Sequence, residues 1–323
     1  MSLGLALSGG GAKGVAHLGV IAALKDNGIN IDYISGTSSG SVIAAMYGAG
    51  YTPNEILSII MHNTKNKGII DYDKGAGMKL MKVIFTKQFY LSGFIKGDRL
   101  ERLIEKYLLQ KNVKDISDIT IPIAIPTVNI KTGEIVYYLN KQRDETRVVE
   151  LQKQCNDMDL KSYNQLSEKT FDEGIHYDDR PEYRYCGSLS EIIRASTSFP
   201  AIFRPKRIEN ELYVDGGVRV NTPVKILKEM GADFVIAISF DCNGVDKRAI
   251  RNVVGITSQA LDILMHESSE SEQKYANINA RICAKNVSLL DFSKSVYLTK
   301  KGYDIINYNI DYIKGKIRNA ENK

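Results

Sequence analysis

The sequence predicts an α/β fold in which helices cover both faces of a mostly parallel sheet. Two observations carry this prediction: short apolar runs alternate with segments of helical periodicity, and glycine-containing turns separate them. The chain has 323 residues, of which 43% are hydrophobic and 25% charged, enough to bury a substantial core. We expect a single domain over 1–323 with its core at about 3–240.

The first two strand–turn–helix units lie at the start of the chain. Residues 3–7 form an apolar run that ends at glycines, and helical periodicity then continues to Asn27 and Gly28. A second apolar run over 31–34 leads into the sequence SGTSSG, and a helix of small residues follows over 41–47. The same unit, strand, sharp turn and helix, is therefore predicted twice.

Later elements follow the same periodicities. Thr52, Pro53 and Glu55 supply a cap, a favoured first helical residue and a capping-box partner for the next helix. Further helices are predicted over 98–110, 188–197, 222–231, 251–280 and 300–318, and further strands over 120–130, 131–139, 211–217 and 234–240. Residues 141–187 are strongly polar and are predicted to be a surface insertion, whereas 251–323 is predicted to be a C-terminal helical part.

Composition and charge exclude several classes of protein. The net charge of +5 is spread along the chain, which favours contact with anionic surfaces but does not indicate nucleic-acid binding. The four cysteines lie far apart, without a CxxC pair, and are predicted to be reduced thiols with no metal site. The start of the chain lacks the pattern of a signal peptide and no run is long enough to span a bilayer, so we expect a cytoplasmic protein.

The glycine loop after the first strand has the spacing GxGxxG, formed by Gly9, Gly11 and Gly14. A dinucleotide site also needs a carboxylate at the end of the second strand, but Asp32 precedes that strand. A phosphate-binding P-loop needs a lysine after the last glycine, whereas Lys13 precedes it. Nucleotide binding is therefore disfavoured, and a turn that only permits close packing of helix on strand remains an alternative.

Ser38 stands in the second turn within the pattern GxSxG, flanked by Gly36 and Gly40. A serine between a strand and a helix is held on a tight turn, where its hydroxyl projects above the sheet edge. The N-terminal amides of the following helix point toward any oxyanion formed beside it. The pattern indicates a nucleophile, and the alternative is that Ser38 only caps the helix.

A nucleophilic serine needs a base, and the sequence offers a carboxylate rather than a histidine. None of the four histidines ends a late strand, where a Ser-Asp-His triad would place one. Asp215 does end a predicted strand and is followed by Gly216 and Gly217. A partly desolvated carboxylate within reach can take the serine proton directly. The alternative is an ordinary turn aspartate.

Three motifs in this order, GGGAKG at 9–14, GTSSG at 36–40 and DGG at 215–217, resemble those of the patatin-like phospholipase family. The resemblance extends from residue 3 to about 240. It implies a three-layer α/β/α sandwich and hydrolysis of acyl esters by a Ser-Asp dyad without histidine, metal or other cofactor. Ser38 is then implied as the nucleophile and Asp215 as the base.

The resemblance also assigns roles around the dyad. It implies an oxyanion hole formed by backbone amides of Gly9, Gly10, Gly11 and Ala12, with Gly10 and Gly11 foremost. Supporting positions in the three motifs are Lys13, Gly14, Gly36, Gly40, Gly216 and Gly217. Two departures stand out: Ser8 replaces an aspartate common before the glycines, and Asn129 replaces an aspartate implied to tune the pKa of the base.

The implied substrate is an ester of a phospholipid or related lipid. Residues 65–97 mix aromatics, methionines and lysines, which suits a lid or cap over acyl chains, or equally an ordinary helical cover. We expect transient contact with an anionic membrane surface, such as the inner membrane face, and no nucleic-acid partner. A thioesterase or acyltransferase with the same dyad and a non-catalytic nucleotide- or lipid-binding module are the alternatives.

Overall fold

A computed structural model describes residues 1–65, 71, 93–151, 180–240, 253–285 and 287–322. Nine strands are found in this part of the chain: β1 Leu3–Leu7, β2 Tyr33–Gly36, β3 Ile123–Asn129, β4 Ile135–Leu139, β5 Glu182–Arg184, β6 Lys206–Ile208, β7 Glu211–Asp215, β8 Phe234–Ser239 and β9 Ile278–Arg281. The described α-helices are α1 Ala16–Asp26, α2 Ser39–Gly48, α3 Pro53–Lys65, α4 Asp98–Gln110, α5 Leu189–Ser196, α6 Lys225–Glu229, α7 Val253–Gln273, α8 Ser295–Tyr308 and α9 Ile310–Glu321.

The described strands form one sheet in the order β5-β4-β3-β2-β1-β8-β9, and β7 pairs with β3 and with β6. The neighbouring pairs β1–β2, β1–β8, β2–β3 and β8–β9 are parallel. Antiparallel pairs occur where β3 meets β4 and β7. The sheet is therefore mostly parallel, as the sequence predicts.

Alternate residues of the central strands enter two separate cores, one on each face of the sheet. Leu5 and Leu7 of β1 belong to the larger core with side chains of α1 and α2, whereas Ala6 between them belongs to a second core with side chains of α6. This alternation is the period of two expected for a strand covered on both faces. The predicted three-layer α/β/α arrangement is confirmed.

Helix α8 packs on α1 through a crossing that only small residues permit. A Cβ atom added to Gly19 would lie 1.8 Å from the Thr299 carbonyl oxygen, and one added to Gly302 would lie 1.9 Å from the Ala16 carbonyl oxygen. The two helices approach so closely that their backbones are in contact. The C-terminal helices are thereby held on the layer that follows the glycine loop.

Several element boundaries differ from the sequence prediction. The helix predicted over 222–231 is reduced to α6, because Thr222 Oγ1 donates to Ser269 Oγ instead of capping the helix, and Glu272 accepts the N–H groups of Val224 and Lys225. The helix predicted over 300–318 is two helices, α8 and α9, that break at Asn309. The C-terminal part also contains the strand β9, whose four residues are too few for a period to be recognised.

Two predicted segments fall largely outside the described residues. The possible lid over 65–97 includes 66–70 and 72–92, and the polar insertion over 141–187 includes 152–179. Among the cysteines, Cys186 is a free, exposed thiol, whereas Cys283 is disulfide-bonded, so the expectation of reduced thiols is wrong for Cys283. None of the described helices combines the length and apolar character that a membrane span requires.

Candidate active site

The three motifs meet at one edge of the sheet. Strands β1 and β2 are parallel, with Leu7 opposite Gly36, so the glycine loop and the Ser38 turn leave the sheet side by side. A Cβ atom added to Gly9 would lie 3.1 Å from the Cβ atom of Ser38. Asp215 is the last residue of β7, which reaches this region by pairing with β3. The topology therefore brings together residues that are up to 206 positions apart in the chain.

Ser38 has a backbone conformation that residues with side chains rarely adopt. Its φ is 52° and its ψ is −121°. Such a conformation costs about 1–3 kcal/mol and persists only where the surroundings enforce it. Two neighbours do so: the Ser38 N–H donates to Ser196 Oγ at 3.0 Å, and Ser41 Oγ donates to the Ser38 carbonyl oxygen at 2.6 Å.

The small residues around Ser38 allow this sharp turn. A Cβ atom at Gly36 would lie 2.3 Å from the Gly40 carbonyl oxygen, and one at Gly40 would lie 2.4 Å from the Leu7 carbonyl oxygen. Ser38 occupies the N-cap position of α2, but its side chain makes no capping hydrogen bond. The hydroxyl is therefore left available, which argues against a capping role for Ser38.

The Asp215 carboxylate is fully buried. Its Oδ1 accepts the Gly217 N–H at 2.8 Å, within the turn formed by Gly216–Val218. Its Oδ2 has no hydrogen bond of good geometry in the described part of the chain. Burial raises the pKa of Asp215 to about 7, and the Ser38 side chain and the Gly217 N–H oppose that rise. Ser38 is therefore close enough to interact with a carboxyl group that titrates near neutral pH.

The contacts of the glycine loop separate its amides into two kinds. The Gly9 N–H donates to the carbonyl oxygen and to Oδ1 of Asn221, both at 3.1 Å, and the Ala12 N–H donates to the Leu289 carbonyl oxygen at 2.8 Å. Within the described residues, the N–H groups of Gly10 and Gly11 have no acceptor. Of the four predicted oxyanion residues, Gly10 and Gly11 therefore keep donors that a ligand can use.

The supporting motif residues pack around this loop. Gly14 lies against Ser39 at the start of α2, since a Cβ atom there would be 2.3 Å from Ser39 Oγ. Gly216 approaches the Pro126 carbonyl oxygen in the same way, at 2.3 Å. Lys13 lines the cleft above Ser38, and its charge interacts with that of Asp262.

A cleft of about 1290 Å³ opens above Ser38 and the glycine loop. On α2 it is lined by Ser39, Val42, Ile43 and Met46, which share one helix face. Other apolar walls come from α3, α4 and α7, and they include Ile56, Ile59, Ile60, Leu103, Ile104, Tyr107, Ile263 and Met265. The cleft therefore has Ser38 and the glycine loop in its lining together with many apolar side chains.

His17 and Asn129 make contacts other than with the Ser38 hydroxyl. His17 is buried, its Nε2 contacts the Ser8 carbonyl oxygen at 2.9 Å, and burial lowers its pKa to about 4. His266 lines the cleft but is exposed. The Asn129 side chain accepts the Lys131 N–H at 3.0 Å and so stabilises the β3–β4 turn. No group of metal-ligating side chains occurs among the residues that the structure describes.

The model of the patatin-like phospholipase family matches residues 5–228, more than half of the chain. The chain belongs to the patatin-like phospholipase family. The matched residues include all three motifs, at 9–14, 36–40 and 215–217.

Curated relatives of this patatin-like chain differ widely in length. Lysophospholipase NTE1 of Scheffersomyces stipitis is 26% identical over 251 residues, which are 78% of this chain but 12% of that protein. The chain thus spans about an eighth of the length of such relatives. The uncharacterized protein R571 of Acanthamoeba polyphaga mimivirus is 31% identical over 245 residues, 73% of this chain and 64% of that protein.

Among solved structures, VipD from Legionella pneumophila is similar with a TM-score of 0.43 and 16% sequence identity, over 96% of this chain and 66% of that one.

At the strained Ser38 turn we expect a glycine variant to be more stable than an alanine variant, which is the reverse of the order in a helix. On the exposed face of α3, Ser58→Gly should be less stable than Ser58→Ala by about 1 kcal/mol, because glycine is the poorer helix former. At Ser38, where φ is 52°, Ser38→Gly should be more stable than Ser38→Ala by about 1 kcal/mol. Denaturant unfolding of the four variants measures both differences, and the same sign at both sites would contradict a strained Ser38.

Proposed function

We propose that the protein is a serine acyl hydrolase that cleaves ester bonds of phospholipids or related lipids, with Ser38 as nucleophile and Asp215 as general base. The observation that carries the proposal is the buried Asp215, whose pKa is raised to about 7 next to a serine hydroxyl that makes no capping bond. A carboxylate with a pKa near neutral accepts a proton far more readily than one with the ordinary value of 3.8.

In the first half-reaction, Ser38 Oγ attacks the ester carbonyl carbon while Asp215 takes the hydroxyl proton. The carbonyl oxygen becomes an oxyanion, to which the N–H groups of Gly10 and Gly11 donate. Preorganised amides of this kind typically contribute a factor of about 100 to 1000 in rate for each donor. The tetrahedral intermediate then collapses, the ester C–O bond breaks, and protonated Asp215 gives its proton to the leaving alcohol.

In the second half-reaction, water replaces the alcohol. Ionised Asp215 takes a proton from the water, whose oxygen attacks the acyl carbon bound to Ser38 Oγ. The second tetrahedral intermediate uses the same amides and releases the free fatty acid. The proton returns from Asp215 to Ser38 Oγ, so the enzyme is regenerated without any cofactor.

The cleft supports a substrate with a long acyl chain. Its lining continues along one face of α2 from Ser39 to Met46, next to the reacting hydroxyl, and is largely apolar. Lysophospholipases among the relatives support the choice of a phospholipid ester. Lys13, Lys65 and Lys285 also line the cleft and would favour an anionic head group or an anionic membrane surface.

The dyad predicts that two substitutions abolish hydrolysis. Ser38→Ala and Asp215→Asn should each lower kcat for a long-chain phospholipid by about 1000-fold or more, since they remove the nucleophile and the base. Ser58→Ala and Asp304→Asn, which alter the same residue types at exposed positions on α3 and α8, are the matched controls and should retain normal rates.

A stability measurement separates lost chemistry from lost folding. Because burial raises the pKa of Asp215, the ionised carboxylate destabilises the folded state, and this effect is complete at pH values above about 7. Asp215→Asn should therefore unfold at a higher temperature than the wild type at pH 8.

Full activity in either dyad variant would remove that residue from the mechanism. A panel of phospholipids and thioesters would show whether another acyl substrate is preferred.

The raised pKa also predicts the pH dependence. Only ionised Asp215 can accept a proton, so kcat/KM should rise with pH through a midpoint near 7 and level off above it. His266→Gln should keep the same midpoint, which distinguishes Asp215 from the histidine that lines the cleft. Rates that are constant from about pH 5 to 9, or a midpoint that disappears in His266→Gln, would contradict Asp215 as the base.

A further inference from the structure

We propose that Asn221 is a positioning residue that holds the glycine loop in its oxyanion-binding conformation, an inference that rests on the proposed function. No motif considered above includes Asn221. Its side chain lies between the glycine loop and the turn that follows Asp215, and the residue lines the cleft. It does not contact the nucleophile through any described hydrogen bond, so it acts through Gly9.

Gly9 is enclosed between Asn221 and Ser38. A Cβ atom at Gly9 would lie 2.7 Å from Asn221 Oδ1 and 3.1 Å from Ser38 Cβ. The Gly9 N–H donates to both the backbone carbonyl oxygen and the side-chain Oδ1 of Asn221. This pair of contacts fixes the peptide unit between Ser8 and Gly9, which is next to the unit that carries the Gly10 N–H. Within the described residues, the N–H groups of Gly10 and Gly11 have no acceptor. The orientation of the free donors therefore depends on Asn221.

The chain around Asn221 is tied to all three parts of the site. Asp215 precedes it by six residues. Thr37 Oγ1 donates to the Val220 carbonyl oxygen at 2.8 Å, and Ser35 Oγ donates to the Pro223 carbonyl oxygen at 2.6 Å. A single segment thus carries the base, contacts the strand before Ser38 and, through Asn221, holds the glycine loop.

The contact with helix α7 favours an amide side chain at position 221. Ser269 on α7 is buried, and its hydroxyl donates to the Met265 carbonyl oxygen at 2.9 Å. Its one proton is therefore used, so Ser269 Oγ acts as the acceptor for Asn221 Nδ2 at 3.1 Å. Asn221 must accept from Gly9 with Oδ1 and donate to Ser269 with Nδ2. Aspartate satisfies the first contact but offers no donor for the second.

An aspartate at 221 would also add a negative charge where the reaction develops one. The point at which a Gly217 Cβ would lie is 3.2 Å from Asn221 Oδ1 and 3.1 Å from Asp215 Oδ1, so both oxygens border the same turn. A charge there disfavours both the oxyanion and the ionised form of Asp215. Asn221→Asp therefore tests position and charge together, whereas Asn221→Ala tests position alone.

The experiment measures kcat and KM of the full chain on a long-chain phosphatidylcholine in mixed micelles. Asn221→Ala should lower kcat by about 10- to 100-fold with little change in KM, because the donors act in the transition state. Asn221→Asp should lower kcat further and shift the midpoint of the pH profile upward. Ser269→Ala, which removes the acceptor that Asn221 Nδ2 shares with Thr222 Oγ1, should lower kcat by a smaller factor.

Asn140 supplies the matched control. Its Oδ1 accepts the Ile123 N–H at 2.8 Å and its Nδ2 donates to carbonyl oxygens of Ile119 and Ile121, so it makes the same kinds of contact away from the site. Asn140→Ala and Asn140→Asp should lower the free energy of unfolding but leave kcat per folded molecule and the pH midpoint unchanged.

Two outcomes would overturn the assignment of Asn221. One is a wild-type kcat in Asn221→Ala, with or without a rise in KM, and the other is an equal effect on kcat in the Asn140 and Asn221 variants. A fluorophosphonate probe distinguishes this failure from failure of the proposed function. If the probe labels wild-type protein and not Ser38→Ala, the nucleophile stands and only the role of Asn221 is rejected.

Discussion

The contact between the Ser38 side chain and the buried Asp215 carboxylate is the interaction on which the rest of the structure depends. A carboxylate removed from water is costly unless it is protonated or well paired, and Asp215 has one firm hydrogen bond, from the Gly217 N–H. Burial therefore raises the pKa of Asp215 to about 7, and the contacts from Ser38 and the Gly217 N–H offset that rise only in part. The parallel pair β1–β2 and the antiparallel pair β3–β7 place the two groups together, so the mixed topology of the sheet serves the site directly.

Several features of the site destabilise the folded chain. Ser38 has a positive φ, Asp215 Oδ2 lacks a well-formed hydrogen bond, and the N–H groups of Gly10 and Gly11 have no described acceptor. Proteins retain such features where the surroundings enforce them. Here the surroundings are the segment after Asp215 and helix α7, whose Ser269 and Glu272 bond to side-chain and backbone groups of that segment. Preorganisation of the site is thus provided by residues on elements remote from it in sequence.

Much of this arrangement could be predicted from local sequence. Apolar runs and glycine turns located β1, β2, β7 and β8, and the order of the three motifs indicated the family and the layered fold. The role of Asn221 could not be predicted, because its partner Gly9 is 212 residues away and an Asn-Thr-Pro sequence is typical of many turns. Nor could local pattern show that the Gly9 and Ala12 amides have internal acceptors. Strand β9 is too short to show a period, and the disulfide-bonded state of Cys283 depends on spatial proximity rather than on spacing.

The most direct test of the central claim is a crystal structure of the protein after reaction with a long-chain alkyl fluorophosphonate, whose phosphorus mimics the tetrahedral intermediate. The account predicts a covalent bond to Ser38 Oγ, a phosphoryl oxygen within hydrogen-bond distance of the Gly10 and Gly11 N–H groups, and the alkyl chain along the apolar face of α2. A covalent bond to another residue, or a phosphoryl oxygen bound away from the glycine loop, would contradict it.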